Sequence, residues 1–295
     1  MTSHRQRGAA MRERTLRGIG SATTRLFLLY MVVLLALIVA WLTDVPVPDH
    51  SPLLLALIGF VIWGTSVLCT WSADRMAVRR EPSAPVEVGP PVRGAWQALN
   101  GPADKVPSHG VRWLGQAYAI DVLVVEGRED ASPWSPIGRP ATAYPSFGEP
   151  LLAVADATVV HVDDGQRDHR GRDTYPGLAY LMLEGLARSL GGPRRVLGNH
   201  VILDLGDGVH ALYAHLRRGS ASVRVGDRVE KGTPIGLCGN SGNSSEPHLH
   251  FQLMDDANPK WAAGLPFTWT GVGLPPNGEV FTVPATGNGA DATGS

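Results

Sequence analysis

Cysteine is nearly absent: the 295 residues contain two, Cys69 and Cys238. Cys69 sits inside an apolar run, so the pair does not read as a disulfide, and a disulfide-stapled fold is excluded. A thiolate zinc site is excluded too, which leaves histidine and carboxylate as the ligands for any metal. Net charge is also missing, with 26 Lys and Arg against 27 Asp and Glu. No long basic stripe runs through the second half, so nucleic acid is a poor partner. Charge of either sign is absent from two stretches, "LFLLYMVVLLALIVAWLT" at 26–43 and "LLLALIGFVIWGTSVLCTWSA" at 53–73. At 1.5 Å per residue each is about long enough to cross a hydrocarbon core of roughly 30 Å. The second run follows the first at once, unlike a signal peptide. Neither has an amphipathic pattern. The pair therefore predicts a transmembrane helical hairpin behind a basic polar tail at 1–25. Arg5, Arg7, Arg12, Arg14, Arg17 and Arg25 precede the first run, Asp44 and Asp49 lie between the runs, and Arg75, Arg79 and Arg80 follow. The positive-inside rule then puts both ends in the cytoplasm.

Residues 74–84, "DRMAVRREPSA", read as a linker. From 85 to 285 the chain becomes a series of short apolar runs cut by Gly and Pro, including "AIDVLVV", "NHVILDL", "GVHALYAHL" and "TPIGLCG". This spacing predicts an antiparallel all-β domain. "VILDLGDGVHALYAHL" predicts a hairpin around its Gly-Asp-Gly turn. One helix is expected, at 177–190, inside an Arg-, Asp- and Gly-rich insertion at 165–197 for which the sequence suggests no role. Residues 286–295, "TGNGADATGS", read as a disordered tail.

The chemistry is concentrated in histidine. "GNSGNSSEPHLHFQL" at 239–253 ends on His248 and His250. In a strand, residues two apart face the same way, so the two imidazoles share a surface. A metal, or a substrate awaiting proton transfer, would justify that arrangement. Tyr213 and His215 share a face by the same period. Asp121 lies in an apolar strand, where a carboxylate needs a partner; an arginine and a metal both qualify. His109 opens "SHG" upstream. His109, Asp121, His215, His248 and His250 together make a candidate zinc hydrolase set, since three N/O ligands and one open position is the catalytic zinc pattern. His200 is a weaker candidate behind them, and Asn240 a candidate hydrogen-bonding residue. His4, His50, His161, His169 and His210 read as surface or core residues.

The run "NHVILDLGDGVHALYAHLRRGSASVRVGDRVEKGTPIGLCGNSGNSSEPHLHFQL" resembles the C-terminal half of the lysostaphin-type (LytM-like) zinc metalloendopeptidases. The Gly-Asn strand start, "YAHL", "VGDRVEKGTPIG", "GNSGNS" and "PHLHFQ" occur in that order, and "GEPLLAVADATVVHV" at 148–162 resembles the family's earlier strand pair. The resemblance covers roughly 85–285. It implies a compact antiparallel sheet with an open groove. It implies zinc held by Asp121, by His250 and by an upstream histidine, with His215 and His248 catalytic. One departure stands out: the usual upstream histidine lies four residues before the Asp, and here that position is Ala117 in "QAYAID". His109, twelve residues before Asp121, is then the expected third ligand, a variant first metal motif.

The implied activity is hydrolysis of peptide bonds in peptidoglycan stem or cross-bridge peptides by a zinc-activated water. One imidazole takes the proton and the other, with the metal, stabilises the oxyanion. A catalytically inactive binding or regulatory module for cell-wall enzymes is the alternative. A lipoyl or biotinyl carrier is disfavoured because Lys231 in "VEKGTPIG" is not in a hairpin-tip motif, and a phosphotransfer domain would not need Asp121. A peptidoglycan substrate implies an extracytoplasmic domain, opposite to the side favoured by the charge rule.

Overall fold

The computed structural model describes residues 2–46, 51–78, 84–129, 132–135 and 137–284. The tail expected at 286–295, part of the linker expected at 74–84, and Asp49, His50, Arg79 and Arg80 lie outside them. The chain divides into two units, Met1–Glu81 and Pro82–Ser295. The first is a helical pair, α1 (Thr2–Leu42) and α2 (Pro52–Val78). Here the basic stretch is helical rather than a loose tail. Met11–Leu42 and Pro52–Val78 are long and apolar enough to cross a membrane. Polar contacts include Arg17 with Glu13 and Asp74, Thr24 Oγ1 with Ser66 Oγ at 2.6 Å, and the Tyr30 hydroxyl with the Leu55 carbonyl at 2.6 Å.

The second unit is built of strands. In chain order these are β1 (Val86–Val88), β2 (Gly94–Leu99), β3 (Ile120–Leu123), β4 (Pro150–Leu152), β5 (Ala157–Asp163), β6 (Asn199–Gly206) and β7 (Val209–Leu216). Then come β8 (Arg228–Val229), β9 (Pro234–Leu237), β10 (Leu249–Met254), β11 (Gly264–Leu265), β12 (Phe267–Trp269) and β13 (Val280–Val283). The insertion contributes α3 (Tyr175–Leu190) and α4 (Pro193–Leu197). The main sheet has strand order β13-β2-β3-β10-β7-β6-β5-β8, with β11 on β10, and every pairing is antiparallel. β4 and β9 form a small antiparallel pair. Among the described residues one pairing departs from the expected antiparallel pattern: β1 and β12 run parallel.

Alternation along β10 decides what each face does. Leu249, Phe251 and Leu253 point into the main core, where Phe251 meets Tyr213, Phe267 and Trp269 edge-on or tilted. Burying aromatic side chains of this size stabilises the fold by roughly 1.5–3 kcal/mol each. His250, Gln252 and Met254 point the other way. Directly opposite residues share a face, so Asp121, His250, Ala214 and His200 form one row across β3, β10, β7 and β6. The expected hairpin is β6–β7, closed by Asp207 and Gly208 at φ 51° and 77°, the left-handed pair a tight two-residue turn demands.

Candidate functional site

Asp121 and His250 are placed by sheet register. His250 Nδ1 lies 2.9 Å from Asp121 Oδ1. His109 comes from the loop before β3 and reaches the other carboxylate oxygen, with Nε2 3.0 Å from Oδ2. The nearest donor atoms of these three residues all lie within 4.8 Å of one another, and they form the one such group among the described residues. The displaced upstream histidine therefore converges on the same point in space, although Ala117 is buried.

A second layer fixes the imidazoles. Ser108 Oγ donates to the Ala119 carbonyl at 2.7 Å and sits 3.1 Å from His109 Nδ1. With its own hydrogen committed, that hydroxyl accepts from Nδ1–H, which leaves the Nε2 lone pair facing Asp121. His250 is held in the opposite sense: its Nε2 lies 3.0 Å from Gln252 Oε1, and Gln252 Nε2 donates to the Leu114 carbonyl at 2.6 Å. His250 Nδ1 is then the free lone pair. Asn100 Nδ2 donates to Asp121 Oδ2 at 3.0 Å. Such outer partners set tautomer and ring orientation in metal sites.

The donor set suits zinc: two imidazole nitrogens and one carboxylate oxygen, both histidines tied down at the far nitrogen, and Asp121 ionised. Burial alone would push the Asp121 carboxyl up. The neighbouring imidazoles of His109 and His248 outweigh it and hold the carboxyl well below the usual range.

His215 reaches the site against its strand's alternation. By the period of two it should join Tyr213, yet Tyr213 faces the core, where its hydroxyl accepts from the Val154 amide at 3.0 Å. The expected shared face of Tyr213 and His215 is not formed. His215 adopts φ 66° at the end of β7, and this left-handed residue turns its ring to the site face. Such a conformation costs roughly 1–3 kcal/mol and persists only where surroundings enforce it. Here Ser241 enforces it: its carbonyl accepts from His215 Nδ1 at 2.8 Å, and its hydroxyl donates to the Leu216 carbonyl at 2.8 Å. Asn199 Nδ2 donates to the same Leu216 carbonyl at 3.0 Å. The Gly-rich run permits the approach, because a Cβ on Gly242 would collide with the backbone of Gly198 and Val196. His248 Nδ1 donates to the Glu246 carbonyl at 2.7 Å, and its Nε2 lies 3.6 Å from Asp121 Oδ1. The His215 and His248 rings are 4.9 Å apart. Both rings line the site cavity with Nδ1 committed to a backbone carbonyl, which leaves Nε2 for other partners. Burial first, then the neighbouring imidazoles of His248 and His250, hold His215 well below the ordinary histidine value.

All five predicted site residues line one cavity of about 220 Å³. Asn100, Gln116, Asn243 and Ser245 share it, as do Leu181, Val196 and Leu197 from the insertion, for which local pattern suggested no role. Two lesser expectations are corrected. His200 is buried against His161, rings 4.7 Å apart, with Nδ1 on the Gly198 carbonyl, and it does not line the cavity. Asn240 points to the His169 carbonyl instead of the site. His169, read as a surface or core residue, lies 2.9 Å through Nε2 from the Gly242 carbonyl. Gln252 was missed although the alternation that pairs His248 with His250 includes it.

The antiparallel sheet thus presents a His–Asp–His donor set that could hold a metal ion, beside two further imidazoles. Residues 183–260 match Peptidase family M23, which bears out the lysostaphin-type resemblance. A curated relative is the glycyl-glycine endopeptidase ALE-1 of Staphylococcus capitis, 48% identical over 61 residues, 20% of this chain and 16% of that protein. Another is the peptidoglycan DD-endopeptidase ShyA of Vibrio cholerae, 37% identical over 62 residues, 21% of this chain and 14% of that protein. The matched segment thus spans about a sixth or less of either relative. The solved catalytic domain of lysostaphin from Staphylococcus simulans aligns over 50% of this chain and 77% of its own, at 21% identity and TM-score 0.29.

Proposed function

We propose that this chain is a membrane-anchored zinc metalloendopeptidase that hydrolyses peptide bonds in peptidoglycan stem or cross-bridge peptides. One observation carries the reading: the donor atoms of His109, Asp121 and His250 converge within 4.8 Å in a cavity that His215 and His248 also line, each with Nδ1 committed to a backbone carbonyl. The peptidoglycan substrate is supported by the relatives' activities, and the anchor by the two apolar helices.

His109 Nε2, His250 Nδ1 and Asp121 would hold a zinc ion, which when bound would supply Lewis acidity for a scissile carbonyl and a water. His248 takes the proton at Nε2. Its Nδ1–H is already committed to the Glu246 carbonyl, and its Nε2 lies 3.6 Å from Asp121 Oδ1. The same Nε2–H then delivers the proton to the leaving amine. His215 has Nδ1–H committed to Ser241, so its Nε2 accepts and orients the attacking water. That is an acceptor's role, in place of the oxyanion stabilisation expected from sequence. The test is zinc content and release of peptides from purified cell wall, compared across wild type, His250→Ala and His248→Ala. The reading requires zinc and hydrolysis in wild type, loss of both in His250→Ala, and retained zinc without hydrolysis in His248→Ala. Equal hydrolysis in all three would end it.

A further inference from the structure

The insertion helix α3 is turned inside out. An amphipathic helix on a soluble domain points its apolar stripe at the core. On α3 the stripe formed by Tyr175, Met182, Leu183, Leu186 and Leu190 is exposed, with Met182 at 78% and Leu183 at 73%. The opposite face carries the charge: Glu184 is ion-paired with Arg172 and with Arg188. Leu181, on that inner face, lines the site cavity. Beyond the helix start, Trp134 is 72% exposed and meets the Tyr175 ring edge-on at 4.9 Å, extending the same apolar patch. The helix is well specified: Thr174 caps its first turn by accepting from the Gly177 amide, and Pro176 lies in that turn.

We propose that the outer face of α3 docks on the anionic lipid surface of the membrane in which the chain's own apolar helices are anchored; this rests on the anchoring reading above. Three features commit the face to lipid. An exposed apolar stripe with Tyr and Trp at one end is the composition of a helix lying in a membrane interface. The insertion carries a net positive charge, six arginines against Asp168, Asp173 and Glu184, which draws it toward an anionic surface; Arg167 and Arg195 border the Glu184–Arg188 side of the helix, behind the apolar stripe. The tether is short: six residue steps separate Val78, the end of α2, from Ala84, a span of at most about 22 Å. A tether of that length holds the domain at high effective concentration near the bilayer. Docking would pin one wall of the catalytic cavity, through Leu181, at the membrane surface.

The full chain is reconstituted into phosphatidylglycerol-containing vesicles and, separately, into pure phosphatidylcholine vesicles. Spin labels are placed through Met182→Cys or Leu186→Cys in a Cys69→Ser background, with Asp207→Cys at the β6–β7 turn as the aqueous control. Cys238 is buried. Labels at 182 and 186 should be reached by oxygen and shielded from a water-soluble nickel chelate on anionic vesicles. Leu183→Asp should return the label at 182 to the aqueous value. A label at 182 as chelate-accessible as that at 207 overturns the proposal. So does shielding accompanied by spin–spin broadening that disappears on dilution with unlabelled chain, because a second copy then covers the face. If the chain fails to float with vesicles at all, the anchoring reading falls along with the docking. Flotation with an aqueous label at 182 overturns docking alone.

Discussion

Gln252→Leu isolates the layer behind the proposed metal ligands. Gln252 is fully buried and makes two hydrogen bonds, one accepting from His250 Nε2 at 3.0 Å and one donating to the Leu114 carbonyl at 2.6 Å. Leucine fills similar space and makes neither. Two buried polar groups lose their partners, at roughly 1–3 kcal/mol each. His250 also loses the contact that keeps the proton on Nε2 and the lone pair on Nδ1. Loss of an outer partner of this kind typically lowers metal affinity by about 10–100-fold. The expected outcome is therefore a chain that folds with reduced stability and binds zinc about 10–100-fold more weakly, read by chelator competition. Gln252→Glu keeps the acceptor for His250 but loses the donor to Leu114, so it should retain most of the zinc affinity while losing stability. The two variants thus separate tautomer control from packing. Wild-type zinc affinity in Gln252→Leu would refute the assignment of His250 Nδ1 as the ligating atom.

Further outcomes are expected. His109→Ala should lower zinc affinity by at least tenfold in equilibrium dialysis, because two protein ligands remain; unchanged affinity would remove His109 from the ligand set. His200 gives a pH dependence. Burial, first among its influences, holds it at about 4 against an ordinary 6.5. Above pH 6.5 it is neutral whether folded or unfolded; as pH falls from 6.5 to 4 only the unfolded chain takes the proton, so stability falls across that window by at most about 3 kcal/mol. His200→Phe should flatten that part of the urea-denaturation profile, and an unchanged slope would contradict the assignment. Gly242→Ala should cost roughly 1–3 kcal/mol, since φ is 73° there and the new methyl meets the Gly198 backbone. It should also depress cell-wall hydrolysis by shifting Ser241 from His215; full activity would show that this backbone contact is not needed.

The strands that hold the site are legible along the chain, because a one-sided sheet needs alternation and Gly-rich turns, and both are local patterns. Alternation alone put His248 and His250 on one face, and it carried Gln252 with them. The two apolar helices were equally legible, since length and lack of charge are counted residue by residue. Long-range packing set the rest. Asp121 and His250 are 129 residues apart, and only β3–β10 register makes them neighbours. His109 is delivered by a loop whose path has no periodic signal. His215 inverts its own pattern: the alternation of "LYAHL" points its ring into the core, and one left-handed residue, enforced by Ser241 and Asn199 from distant segments, turns it to the site. The insertion at 165–197 was silent in sequence for the same reason. Its apolar stripe predicts a helix but not which way that helix faces, and only packing against the site revealed that the stripe points outward.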